Sequence, residues 1–220
     1  MKIQIESDFH DYYDHAFASK YDTPDYVLKR PSVYPQLPRE KMFQLFTEYG
    51  MSTPQYGRDK SLFTCEYVVE HLDETAHRGD GKHLVDVDDA KDETFKVAHV
   101  VTTGSNLIVP SMSRRVLFIG NHQFDLQYIG LHDWRSNGPD CNIHFRGIVE
   151  NGRDYFDIAS KELAKFPIVA LDYVKNGEKK PLYLDINISP SWKGTFLEKL
   201  LHPSVVHEFI EEYVREIQAQ

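Results

Sequence analysis

Cysteine is scarce in this chain of 220 residues: Cys65 and Cys141 are the two present, with no C-x-x-C spacing. A disulfide-stapled scaffold and a structural zinc site are therefore excluded, and two lone thiols fit a reducing compartment. Basic charge is also short, with 25 Lys and Arg against 34 Asp and Glu and a formal net charge of −9. Nucleic acid is not an expected partner, because phosphate-backbone binding draws on clustered Lys and Arg, although a local basic groove stays open as an alternative. No apolar run approaches the length of a membrane-spanning helix, so no membrane association is expected. The amino terminus MKIQIESDF lacks the basic and apolar regions of a secretory signal. No G-x-S-x-G occurs and neither cysteine sits in a nucleophile motif. The expected location is cytoplasmic.

What the chain does contain is core-forming material: 41% hydrophobic residues, including 13 Tyr and 13 Phe. That is enough to build a packed interior. Met1–Glu6 alternates like a strand, and Asp11–Lys20 reads as a short helix. The stretch KYDTPDYVLKRPSVYPQLP carries Pro24, Pro31, Pro35 and Pro38 and reads as a linker. Residues 1–37 are therefore expected to form a short strand, helix and linker ahead of one domain over 38–220.

Within that domain a helix starts at Pro38 and ends at Gly50, with Met42, Phe43, Leu45 and Phe46 on one face. Strands are predicted in LFTCEYVVEHL, HLVDV, FKVAHVVTTG, RRVLFIG and HQFDLQYIG, with Gly120-Asn121 as a hairpin turn between the last two. Tyr155–Lys165 has helical periodicity. PIVALDYV and PLYLDINIS form a second hairpin around Asn176-Gly177, and the tail is helical with a break at Pro203. The predicted fold class is α+β, with antiparallel meander sheets packed against helices rather than strict βαβ alternation.

The second hairpin carries the chemistry. Asp185 and Asn187 lie two apart on one strand and so share a face, and the turn brings Asp172 of the other strand alongside. Two carboxylates and an amide oxygen make a hard oxygen set suited to Mg²⁺, which uses one or two carboxylates together with substrate phosphates. The competing reading is a solvated polar face of an amphipathic hairpin. The apolar flanks, IVAL before Asp172 and LYL before Asp185, favour a cleft, where unpaired carboxylates are costly.

The stretch VALDYVKNGEKKPLYLDINISPSWKGT resembles the last motif of ATP-grasp enzymes, in which an Asp on one strand and a Glu-x-Asn on the next hold the magnesium ions on ATP. Here Asp172, Asp185 and Asn187 match in order, with Asp185 in place of Glu. Upstream, SRRVLFIGNHQFDLQYIGLHDWRSNG resembles the RimK-like carboxylate–amine ligases. That likeness implies Arg115 as the strand arginine and Arg135 and Asn137 as the residues meeting phosphate and substrate. PREKMFQLFTEYGMSTPQYG is similar to the lead-in helix of the family. AHRGDGKHLV is similar to its glycine loop over the phosphates, implying Gly79, Gly81 and Lys82 as nucleotide contacts. The resemblance runs over residues 38–200. It implies an ATP- and Mg²⁺-dependent ligase that makes an amide-type bond through an acyl-phosphate, with small-molecule, peptide or protein carboxylate and amine substrates.

Two departures accompany the likeness. His71 in VVEHL stands where the family has a strand lysine, which leaves Lys60 or Lys82 to replace it. Only 37 residues precede Pro38, so the N-terminal subdomain is expected to be reduced. A catalytically inactive ATP-grasp-fold binding or scaffold protein is the alternative.

A third reading starts from Asp8-Phe9-His10 and Gly120-Asn121-His122, which resemble two ligand motifs of calcineurin-like metallophosphoesterases. The other motifs of that family have no counterpart here, and Gly120-Asn121 reads better as the hairpin turn.

Overall fold

A computed structural model of the chain describes residues 3–7, 25–30, 38–73, 81–102, 110–138, 140–149, 168–175, 180–187, 190 and 197–219. The first two strands, β1 (Ile3–Ser7) and β2 (Tyr26–Arg30), pair in parallel as a two-stranded sheet. Tyr26–Arg30 is thus a strand and not linker. Its β-rich YVL run pairs with a segment that begins at Ile3, a non-local partner that its flanking prolines conceal. The predicted helices Asp11–Lys20 and Tyr155–Lys165, the turn at Asn176-Gly177, and Asp8 and His10 lie outside the described residues.

Helix α1 (Arg39–Glu48) begins directly after Pro38. Arg39, Met42, Phe43 and Phe46 are its buried residues, at the i, i+3, i+4, i+7 spacing of a single helical face. The helix stops in a Schellman arrangement: Gly50 N donates to Thr47 O at 2.9 Å and Met51 N to Phe46 O at 2.9 Å. Gly50 takes φ 68° there, a left-handed value that glycine adopts without a Cβ penalty.

Four antiparallel strands follow: β3 (Tyr56–Gly57), β4 (Tyr67–His71), β5 (Lys82–Asp86) and β6 (Phe95–Ala98), in the order β3-β6-β4-β5. A 3₁₀ turn at Lys60–Leu62 separates β3 from β4. The larger sheet holds β7 (Ser111–Ile119), β8 (His122–Gly130), β9 (Cys141–Val149), β10 (Ile168–Val174) and β11 (Leu182–Asn187), ordered β11-β10-β7-β8-β9 and antiparallel throughout. Strand β9 went unassigned in the sequence reading. Short helix α2 (Leu197–Leu200) and helix α3 (Pro203–Ala219) close the chain, with the expected break at Pro203. No helix among the described residues is long and apolar enough to cross a membrane.

Both faces of the large sheet are covered. One side of β7, β8 and β10, with Leu117, Ile119, Phe124, Leu126, Ile168 and Ala170, packs on Leu197, Leu201, Val206, Ile210 and Val214. Each fully buried aliphatic side chain there stabilises the fold by about 1.5–3 kcal/mol. The other side, with Val116, Phe118, Val169 and Leu171, meets Met42, Phe43 and Phe46 of α1 and Phe95 and Val97 of the small sheet. This second core ties the two sheets to α1 and fixes the walls of the cleft between them.

Candidate functional site

Strand register assembles the charged residues. Arg115 of β7 pairs with Asp172 of β10, which in turn pairs with Asp185 of β11. Paired residues on neighbouring strands project to the same side, so the three form a row across the sheet. Alternation along β7 and β10 puts Arg115 and Asp172 on the side of Leu117 and Ala170, where the apolar stripe under α3 gives way to charge. Asn187, paired with Ala170, follows Asp185 on that side.

The row is ionically satisfied. Arg115 donates from Nε and Nη2 to both oxygens of Asp172, at 2.6 and 2.7 Å, and its guanidinium carbon lies 5.4 Å from the Tyr128 ring centroid. Burial opposes the Arg115 charge, but the Asp172 carboxylate outweighs it and raises the Arg115 pKa further. Asp185 accepts from Arg39 Nη1 at 2.5 Å. Burial pushes the Asp185 carboxyl up, and Arg39 and Lys82 more than reverse this, holding it below the usual carboxylate range.

Asp172 and Asp185 line one wall of a cleft whose other walls include Arg39, His71, Lys82 and Arg135. Three cationic side chains face two carboxylates there, with Asp133 on Arg135 as a further counter-charge. Lys82 lies directly opposite His71 in the β4–β5 ladder. Burial, then the Arg39 charge, pushes the Lys82 pKa down to about 8, while Asp185 and Asp172 pull it back up. His71 is 6% exposed, and burial followed by Lys82 and Arg39 pushes it down to about 3. It is therefore a neutral imidazole at physiological pH, and its Nδ1 is buried with no hydrogen-bond partner among the described residues.

The far wall is the loop after β8. Ser111 Oγ donates to Asp133 O at 2.7 Å and Ser136 Oγ to Ser113 Oγ at 2.5 Å, which fastens the loop to β7. A Cβ on Gly130 would lie 2.5 Å from Arg135 O, so the close approach of strand and loop requires glycine. Asp133 cradles Arg135 through its backbone N at 2.9 Å and Nη2 at 2.7 Å. Trp134 stands between Arg135, 5.7 Å from its ring centroid, and the edge-on ring of His99. Asn137 is exposed at the cleft.

His71, Lys82, Arg135, Asn137, Asp172 and Asp185 thus line the cleft, with Arg115 and Asn187 beside it. Gly81 sits at the start of β5 with φ 66°, and Gly79 lies outside the described residues. Lys60 is elsewhere, donating to Asp88 O at 3.0 Å and facing Asp92 at 3.6 Å. Asn121 and His122 are at the opposite end: Ile119 pairs with His122, leaving Gly120-Asn121 as the two-residue turn. His122 stacks on Phe209 of α3 at 3.7 Å, and Asn121 hydrogen-bonds Glu216. Among the described residues no group of three or more His, Cys, Asp or Glu converges as an all-protein metal cage.

Arg39 was missed in the sequence. Its signal was there: a charged residue on the buried stripe of α1, at the position where an apolar side chain would continue the series.

The two antiparallel sheets and the cleft between them match the ATP-grasp fold, and solved structures that the chain resembles include ATP-grasp ligases. A RiPP-associated ATP-grasp ligase from Chryseobacterium gregarium, in complex with ADP and a leader and core peptide, aligns with a TM-score of 0.57 at 15% identity, over 87% of this chain and 63% of that one. The ATP-grasp ligase PsnB complexed with minimal precursor, Mg and ADP gives 0.53 at 12% identity, over 81% and 59%. The macrocyclase MdnC bound with precursor peptide MdnA, from Microcystis aeruginosa MRC, gives 0.52 at 13%, over 86% and 64%. The chain spans less than two thirds of the length of each. At these identities the likeness is one of fold. No protein-family model matches the sequence, and no curated protein matches it.

Proposed function

We propose that this chain is an ATP-dependent ligase of the carboxylate–amine type, with nucleotide held between the two sheets. The observation that carries the reading is the Asp172–Asp185 cross-strand pair facing Lys82 in one cleft. Two carboxylates with the neighbouring Asn187 amide suit a magnesium ion that completes its shell with nucleotide phosphates. Bound there, the ion would neutralise charge on the phosphate oxygens.

The other roles follow from charge and position. Lys82 takes the part of the strand lysine that His71 replaces, and the neutral His71 offers its buried Nδ1 as a hydrogen-bond partner to the nucleotide. Arg135, whose Nε–Nη2 edge Asp133 holds in place, turns the rest of its guanidinium to the transferring phosphoryl group, and Arg115 holds Asp172 in place behind it. Phosphoryl transfer is catalysed mainly by positioning and electrostatic stabilisation, the kind of service these groups can supply. The γ-phosphoryl passes to a substrate carboxylate with release of ADP. An amine then attacks the acyl carbon, expels phosphate and leaves an amide. Because the solved structures it resembles include ligases bound to precursor peptides, a peptide carboxylate is the proposed substrate class.

The deciding experiment is Mg²⁺-dependent ATP binding by calorimetry, with wild type beside Asp185→Ala. Loss of metal-dependent binding in the variant is expected. Absence of binding in both would favour the second reading, a non-catalytic binding protein on the same fold. One observation favours that reading: both carboxylates already carry an arginine.

A further inference from the structure

Arg39 occupies a place on α1 that the helix pattern reserves for an apolar residue, and it is 6% exposed. A guanidinium withdrawn that far from water needs a strong partner. Its Nη1 has one in Asp185 Oδ1 at 2.5 Å, and the same nitrogen is 3.8 Å from Met42 Sδ. The ion pair uses one nitrogen of the fork, whereas Arg115 grips Asp172 with two. A single-point contact is given up with less loss than a bidentate one, and a phosphate can offer the fork two oxygens at once. Lys82 also neutralises Asp185, so the carboxylate keeps a cation beside it if Arg39 leaves. Arg39 itself lines the cleft.

We propose that Arg39 is an exchangeable latch on Asp185: the polyphosphate of an incoming nucleotide takes the guanidinium, and Asp185 Oδ1 is released to a divalent cation. The inference rests on the nucleotide reading above. It makes cation binding at Asp185 depend on nucleotide, and by linkage the reverse. It also gives the free protein a reason to keep an arginine on a carboxylate that a cation would otherwise claim.

The test uses Mn²⁺ as probe, followed by electron paramagnetic resonance, and the non-hydrolysable analogue AMPPNP, titrated in EDTA and with Mn²⁺. In wild type, Mn²⁺ binds weakly alone and at least about tenfold more tightly with AMPPNP, a coupling of about 1.4 kcal/mol. In Arg39→Met, Mn²⁺ alone binds about tenfold more tightly than to wild type, AMPPNP in EDTA binds about tenfold more weakly, and the coupling collapses. Arg39→Lys keeps the charge and guards against misfolding: AMPPNP weakens several-fold while Mn²⁺ alone stays at the wild-type level. Unchanged AMPPNP affinity in both variants overturns the latch and leaves the ligase reading standing, as does wild type binding Mn²⁺ equally with and without AMPPNP. Wild type that binds no AMPPNP under either condition overturns both.

Discussion

Lys82 stands directly across the β4–β5 ladder from His71, and both side chains line the same cleft. Cross-strand partners share a face, so a cation moved from one member of the pair to the other still reaches the same space. On the proposed reading, Lys82 of the second strand serves where His71 stands on the first. Lys82→Met is expected to weaken nucleotide binding by about ten- to a hundredfold, the cost of one or two charge-assisted hydrogen bonds. Lys82→Arg retains most of the affinity. Calorimetric titration with ATP checks both, and an undiminished Lys82→Met would remove Lys82 from the site.

The same lysine sets a pH dependence. Its pKa in the free protein is pushed down to about 8, chiefly by burial. A bound polyanion favours the protonated form. Affinity is therefore full below pH 8, where Lys82 is already charged, and falls as pH rises above it. Lys82→Met is expected to flatten the profile between pH 7.5 and 9.5. A slope that survives the substitution belongs to another group.

His71 contributes to the acid side of stability. Burial lowers its pKa from the ordinary 6.5 to about 3. Between those values the unfolded chain takes up a proton that the folded chain refuses, so stability is fully present above pH 6.5 and drains away as pH falls toward 3. The loss over that window is on the order of 4 kcal/mol. His71→Phe keeps the contact with Phe95, whose ring centroid is 5.6 Å away, and is expected to make urea-unfolding stability less sensitive to pH between 6 and 4.

How much of this could be read beforehand differs by residue. Asp172 and Asp185 were legible because a hairpin brings its strands together locally and two-residue alternation assigns each side chain a face. Arg39 was not, because its partner Asp185 is 146 positions away and an arginine next to a helix start reads as solvent-exposed. In β9, Cys141, Ile143 and Phe145 are half-buried while Asn142, His144 and Arg146 are exposed. The alternation was present in CNIHFRGIV, but the central charge and Gly147 weaken the apolar run that marks a strand. The roles of Gly120-Asn121-His122 depended on context: a tripeptide cannot tell a ligand motif from a turn, whereas strand register can.

The Arg115–Asp172 pair is half-buried and bidentate, with side chains 14% and 19% exposed. Removing either partner leaves a half-buried charge without its bidentate partner. Arg115→Met and Asp172→Leu are each expected to cost about 1.5–3 kcal/mol in unfolding free energy. The double variant is expected to recover most of that loss, since neither charge remains to be solvated. A double-mutant cycle by chemical denaturation measures the coupling; additive losses would show that the pair contributes no interaction of its own.

Gly120 makes the last prediction, and Gly50 is its control. Both residues adopt left-handed backbone, φ 57° and 68°, so replacing either by alanine costs about 1–2 kcal/mol for the conformation alone. Their surroundings differ. A Cβ on Gly50 meets nothing within 4 Å, whereas one on Gly120 would fall 2.6 Å from the backbone oxygen of Phe209 and 3.2 Å from Tyr213 Cβ. Phe209 and Tyr213 belong to α3, whose apolar face covers the large sheet, so relief of that contact requires the helix or the hairpin to shift. Gly120→Ala is expected to lose about 2 kcal/mol more than Gly50→Ala, because repacking against a fixed backbone is added to the strain. Denaturant midpoints at unchanged m-value decide it, and equal losses in the two variants would mean that the β7–β8 turn is not wedged against α3.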